Sequence, residues 1–142
     1  MNITPFILSK KTSEPLRQFI SEYGERRLRS HKTYFENPKN WFAWTAKSGQ
    51  ELIGFTAYKP DKKEMDSFTV TKRTCRELGL GEALLKQKVN HAKSIGNQRY
   101  ITTIGASNVP SINLVTKIGF QLVRAEQRDY GPILVFELEL NR

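Results

Sequence analysis

The chain has a single cysteine, Cys75, and two histidines, His31 and His91, among 142 residues. One cysteine closes no internal disulfide, and two histidines without a Cys/His constellation make no metal site, so neither a disulfide scaffold nor a metal centre is expected. Long apolar runs are also missing. No stretch reaches the length of a membrane span, and residues 1–11 place no charged leader ahead of their apolar side chains, which predicts no signal peptide. With no membrane partner indicated and only one thiol, the expected compartment is the cytoplasm. Acidic residues are scarce as well: 14 Asp plus Glu face 23 Lys plus Arg, a net charge of +9. That excess has three readings: a solvated basic surface, recruitment of an anionic cofactor, or nucleic acid. Zinc-finger spacing, an arginine-rich tail and a helix-turn-helix pattern are all missing. Nucleic acid is therefore the weakest of the three, because charge alone is a nonspecific footprint.

What is present suits one soluble domain spanning residues 1–142. The composition is 38% apolar and 26% charged, without repeats or low-complexity linkers. Residues 3–8 read as a first strand. A helix starts at Ser13 or Glu14, with Pro15 just inside, and runs to about Tyr23 with Leu16, Phe19 and Ile20 on one stripe. Gly24 permits a break before a short helical or irregular piece over 25–30. Aromatic-rich strands over 41–46 and 51–58 flank a Gly49-bearing hairpin turn, and a further strand covers 64–70. A helix over 79–95 then carries Leu80, Leu84, Leu85, Val89, Ala92 and Ile95 toward a core. A strand over 100–104 follows, parallel to 64–70 because a helix crossover joins them. Strands over 120–126 and 133–140 close the chain as a hairpin.

The chemistry concentrates in residues 70–85, a strand end, a basic glycine-bearing loop and the first turns of a helix. A helix N-terminus leaves its first N–H groups unpaired and carries about half a positive charge, so a phosphate placed there meets donors that otherwise need water. Gly79 and Gly81 let the backbone approach closely, while Lys72, Arg73 and Arg76 add charge. A P-loop is excluded because Glu82 and Ala83 follow Gly81 where Lys and Ser or Thr belong. The dinucleotide fingerprint fails too, since Leu84 occupies the place of its last glycine. Arg-x-x-Gly-x-Gly remains, made by Arg76, Gly79 and Gly81. Downstream, residues 108–120 set Asn108 ahead of Pro110, Leu114 and Ile118 at i and i+4, Lys117 at the helix end and Gly119 as a left-handed terminator before Phe120.

These two motifs, in this order, resemble the acyl-CoA pyrophosphate loop and the later Asn-to-Gly-Phe motif of the GNAT superfamily of N-acyltransferases, over roughly residues 40 to 125. The resemblance implies an α/β (α+β) fold. Its mixed central sheet has about six to seven strands, with an antiparallel first half, a splayed parallel pair at the cofactor cleft and about four flanking helices. It further implies acetyl-CoA as acyl donor. Main-chain groups of Phe68, Thr69 and Val70 would meet the pantetheine arm, and the loop of Arg73, Arg76, Glu77, Leu78, Gly79, Leu80, Gly81 and Glu82 would hold the pyrophosphate. Asn108, with Ser111 and Asn113, would lie beside the pantetheine.

Many family members carry a Tyr proton donor four residues before the Gly of the Gly-Phe pair, and here that position is Val115. Tyr130 in the closing hairpin is the alternative acid, set against a plain turn or packing role. Glu64 and Asp66 are the candidate bases, two residues apart and on one face of a strand, set against an exposed strand start. Arg26, Arg27, Arg29 and His31, with Lys32, Tyr23, Tyr34 and Phe35 nearby, suggest an acceptor carrying phosphate or carboxylate, set against a solvated helix face. The expected activity is transfer of an acetyl group to a primary amine of a small molecule or peptide, by a monomer or a homodimer. A noncatalytic acyl-CoA-binding module is the alternative, and a nucleic-acid-binding protein stands third.

Overall fold

Seven strands fall into two antiparallel sheets of four and three in the computed structural model of the chain, which describes residues 1–24 and 29–140. Two compact units are present, Met1–Lys59 with Ser67–Lys88, and Pro60–Asp66 with Val89–Arg142.

The first unit holds β1 (Asn2–Pro5), α1 (Lys10–Tyr23), α2 (Arg29–Glu36), β2 (Phe42–Ser48), β3 (Glu51–Lys59), nearly all of β4 (Asp66–Thr71), and the start of α3 (Leu80–Ser94). Its sheet runs β1-β2-β3-β4, so β4 ends the order. The β2–β3 hairpin turns at Gly49 and Gln50, where Gly49 takes φ +60, a left-handed conformation that glycine adopts without steric cost. Helix α1 begins at Lys10, three or four residues before the start expected at Ser13 or Glu14. A reciprocal capping box between Ser9 and Thr12 satisfies the first donors, and Pro15 sits inside the helix, unable to donate to the Lys11 carbonyl. The first strand stops at Pro5 rather than at residue 8.

Alternation along β4 sends Phe68 and Val70 into a core with Leu16, Phe19, Ile20, Tyr34, Trp41 and Phe55. The rings meet edge-on or tilted, Tyr34 to Trp41 at 5.4 Å and Phe55 to Phe68 at 5.6 Å between centroids. Leu80 and Leu84 of α3 close a smaller cluster with Ala46 and Ile53. Between β4 and α3 the basic loop is a 3₁₀ turn, Arg73–Leu78, ending at Gly79 with φ +78.

The second unit holds the segment before β4, the end of α3, β5 (Arg99–Gly105), α4 (Val109–Ile118), β6 (Gln121–Arg128) and β7 (Gly131–Glu139). Its sheet runs β5-β7-β6. The strand expected from residue 64 starts at Asp66. Strands β4 and β5 lie in different sheets, so the expected parallel pair is not a hydrogen-bonded one. Met65 nevertheless donates its N–H to the Ile101 carbonyl at 2.7 Å. Helix α4 keeps its expected ends: the Asn108 side chain accepts from the Ser111 N–H, and Gly119 terminates at φ +113. Two residues assigned to the stripe of α3 leave it, since Val89 is half-buried and Ile95 exposed.

Phe55 has no exposed surface and touches the rings of Phe6, Tyr34 and Phe68. Phe55→Ala should therefore cost about 3–5 kcal/mol of unfolding free energy, read from the midpoint shift in urea at unchanged slope.

Candidate active site

Strand β4, the 3₁₀ turn and α3 follow one another without interruption. As the last strand of its sheet, β4 offers a row of N–H and C=O groups that no further strand of that sheet takes up. Next comes Gly79, where a Cβ would find no atom within 4 Å. Beyond it the first N–H groups of α3 have no acceptors within the helix itself, and the Ala83 N–H bonds back to the Gly79 carbonyl at 3.0 Å. The left-handed φ and the open space suit close approach of an anion, and the adjoining strand edge suits a ligand with amide groups.

The side chains of the loop are largely engaged with one another's neighbourhood. Lys72 pairs with Glu51, which raises its ammonium above the usual range. Arg76 donates to the Tyr23 carbonyl at 2.8 Å, tying the turn to the end of α1. Arg73 and Leu78 are exposed, and Glu82 pairs with Lys86 at 3.0 Å. At the start of α4, Asn108 uses its carbonyl oxygen on Ser111, which leaves its amide N–H groups for another partner. Ser111 is half-buried and Asn113 exposed.

The catalytic candidates Glu64 and Tyr130 meet through a residue that sequence reasoning did not single out. Arg128 donates to both Glu64 oxygens, at 2.9 and 3.2 Å, and to Glu126 at 2.9 Å, and its Nη1 lies 3.5 Å from the Tyr130 hydroxyl. Charge-assisted bonds of this bidentate kind fix a carboxylate in orientation. They raise the Arg128 guanidinium above its ordinary range, and the flanking Arg124 and Arg128 hold Glu126 low. Glu64 precedes β4 and is half-buried, whereas Asp66 opens the strand and is exposed, so strand alternation does not relate them as expected. Tyr130 is exposed in the β6–β7 turn.

Of the proposed acceptor residues, Arg26 and Arg27 lie outside the described residues, and Arg29 opens α2. His31 packs edge-on to Phe68 with centroids 4.5 Å apart, and burial pushes its pKa down to about 4. It is a neutral ring at physiological pH and adds no positive charge for an anionic acceptor. Tyr34 is a core residue, 2% exposed. Among the described residues no group of three or more His, Cys, Asp or Glu is arranged to hold a metal ion. No described helix is long and apolar enough to cross a membrane. A cavity of about 650 Å³ in the second unit is lined by Arg99, Gly119, Gln121, Leu122, Val123 and Glu137, among others, and by none of the candidate residues.

The second unforeseen residue is Lys88, 3% exposed on the inner stripe of α3. Its Nζ donates to Ser67 Oγ at 2.7 Å and Thr69 Oγ1 at 3.0 Å. The signal was present in the sequence, because residue 88 continues the helical series 80, 84, 88. Burial pushes its pKa down to about 7. The unfolded chain, with a lysine pKa near 10.4, holds a proton between about pH 7 and 10 that the folded chain lacks. Stability should thus rise with pH across that window, by on the order of a few kcal/mol, the full penalty being present below about pH 7. Lys88→Met should flatten the rise in denaturant titrations from pH 6 to 10, and an unaltered slope would refute the buried ammonium penalty.

Comparison with known proteins agrees with this geometry. The mycothiol acetyltransferase of Corynebacterium glutamicum is 27% identical over 86 residues, 59% of this chain and 28% of that protein, so the chain spans under a third of that relative's length. The ribosomal-protein-S18-alanine N-acetyltransferase from Escherichia coli superposes with a TM-score of 0.80 at 14% identity, covering 99% of this chain and 96% of that one. A GNAT family acetyltransferase from Elizabethkingia anophelis, solved with acetyl-CoA bound, gives 0.78 at 18% identity over 98% and 99%. At such identities the structural likeness establishes the fold. The family model described as the acetyltransferase (GNAT) family matches residues 10–120, through both compact units, and the chain belongs to that family.

Proposed function

We propose that the protein is a cytoplasmic N-acetyltransferase that moves an acetyl group from acetyl-CoA to a primary amine by direct attack in a ternary complex, as a single catalytic domain in a monomer or homodimer. The observation that carries this reading is the run from the β4 edge into left-handed Gly79 and the first turn of α3. Main-chain groups of 68–70 take the pantetheine amides, and those of 76–81 take the diphosphate, with Arg73 adding charge and Asn108 donating its free amide N–H groups to the arm. Acetyl-CoA bound there supplies an activated acyl carbonyl and a thiol leaving group.

Glu64 is the carboxylate we assign as base. Arg128 holds it in one orientation, and each of its oxygens keeps a lone pair for an amine proton or a bridging water. Asp66, exposed at the start of β4, ranks second. Tyr130, within reach of the same arginine, is the candidate donor to the departing thiolate. The acceptor is a primary amine of a small molecule or peptide. Two of the similar proteins named above are called a mycothiol acetyltransferase and a ribosomal-protein-S18-alanine N-acetyltransferase, names too different to fix one acceptor.

One observation favours a second reading. Val115, 4% exposed, replaces the hydroxyl that many relatives carry at that place, as a noncatalytic acyl-CoA sensor would. Turnover separates the two. Free-thiol release from acetyl-CoA over a panel of primary amines should exceed the amine-free rate for an enzyme, while a sensor binds coenzyme A and releases nothing.

Two substitutions probe the site. Glu64→Gln should lower kcat by about 10²-fold or more with little change in KM for acetyl-CoA, and unchanged kcat removes Glu64 as base. Gly79→Val forces a branched side chain into φ +78, so coenzyme A affinity should fall about tenfold or more in calorimetry while the far-ultraviolet circular dichroism stays native.

A further inference from the structure

We propose that Lys88 is a positioning residue for the donor site: its buried amine, held by the Ser67 and Thr69 hydroxyls, sets the β4 edge that grips the donor and couples donor binding to proton uptake. The inference rests on the reading of β4 as the pantetheine-binding edge. It starts from the direction of four hydrogen bonds. The Thr56 hydroxyl donates to the Phe68 carbonyl at 3.2 Å. Having one hydrogen, Thr56 must accept in its 2.7 Å bond with Thr69, so the Thr69 hydroxyl is the donor there. Thr69 then has no hydrogen left for Lys88 and accepts from Nζ at 3.0 Å. A one-way chain results, from Lys88 through Thr69 and Thr56 to the Phe68 carbonyl on the β4 main chain. Such chains polarise along their length, so the charge at Nζ is felt at the carbonyl.

The remaining bond, to Ser67 at 2.7 Å, is the part that changes with protonation. A neutral amine has a lone pair and can accept from the Ser67 hydroxyl, whereas an ammonium has none and can only donate to it. Protonation therefore removes the option of accepting from Ser67, fixes Nζ as the donor in both bonds to β4, and strengthens them. No neighbouring charge offsets the burial that lowers the pKa of Lys88. The groups facing it are hydroxyls: Ser67 and Thr69 from β4, and Thr56 from β3. The charged groups on the same elements are Glu82, which pairs with Lys86, Lys72, which pairs with Glu51, Asp66, which opens β4 next to Ser67, and His91, further along α3, whose own pKa is lowered by burial. An anionic donor bound at the β4 edge favours the ammonium, and by linkage the ammonium favours the donor to the same degree.

The test follows the lysine Nζ and Cε resonances of the folded protein from pH 5.5 to 9.5, with and without saturating coenzyme A, beside calorimetric coenzyme A affinities over the same range. The Lys88 midpoint should move upward by about half a unit or more on binding, matched by an affinity about threefold or more tighter at pH 6 than at pH 8.5. Lys88→Met should lose that difference, and Thr69→Val should reduce it. A midpoint that ignores coenzyme A, or a pH dependence kept intact in Lys88→Met, overturns the proposal. The wild-type titration needs no variant to fold. Absence of any coenzyme A binding by the wild type would overturn the donor-site reading itself, a result distinct from binding with a static Lys88.

Discussion

A strand that ends its sheet is the constraint on which this molecule turns. β4 takes β3 as its partner and ends its sheet, while β5 pairs with β7 and belongs to the other sheet. Main-chain donors and acceptors along that edge need partners, from water or from a ligand that carries amides of its own. The same strand runs through a 3₁₀ segment into Gly79 and the first turn of α3, so amide-binding and anion-binding groups are consecutive in the chain. The two faces of β4 are fixed differently. Phe68 and Val70 anchor one in the aromatic core, and Lys88 with three hydroxyls secures the other.

The large positive charge of the chain turns out to be a poor guide to where an anion binds. Lys72 is matched by Glu51, Arg76 by a main-chain carbonyl, Arg128 by two carboxylates, and Lys86 by Glu82. Exposed pairs of this kind contribute little to stability, but they remove cations from competition for a ligand. Of the three basic residues around the loop, Arg73 alone makes none of these contacts. The affinity for a diphosphate then rests mainly on backbone N–H groups and the helix dipole, which salt screens less than it screens flexible surface charges.

How much of this was legible depended on how local its cause is. Gly119 marks a left-handed helix end and Gly49 a hairpin turn because positive φ is costly for other residues, and both take positive φ, as does Gly79 in the loop. Asn108 and Pro110 marked the start of α4 for an equally local reason. Pro15 misled, because the Ser9 and Thr12 capping box carries α1 through it, and a proline at a helix start and one inside a well-capped helix look alike in sequence. Val89 and Ile95, expected on the α3 stripe, are half-buried and exposed, while Lys88, on the better helical register, is the buried one, and its charged side chain hides that in the apolar pattern. The link between Glu64 and Arg128 spans 64 positions and depends on how the segment before β4 meets the closing hairpin, which no local pattern encodes.

The most direct test of the central claim is a backbone amide titration by nuclear magnetic resonance with coenzyme A at low salt. The account predicts the largest shifts, saturating together, at residues 76–81 and 68–70, with the Arg73 side chain affected less than the main chain around Gly79. Shifts confined to exposed lysines and arginines, or none at residues 76–81, would contradict it.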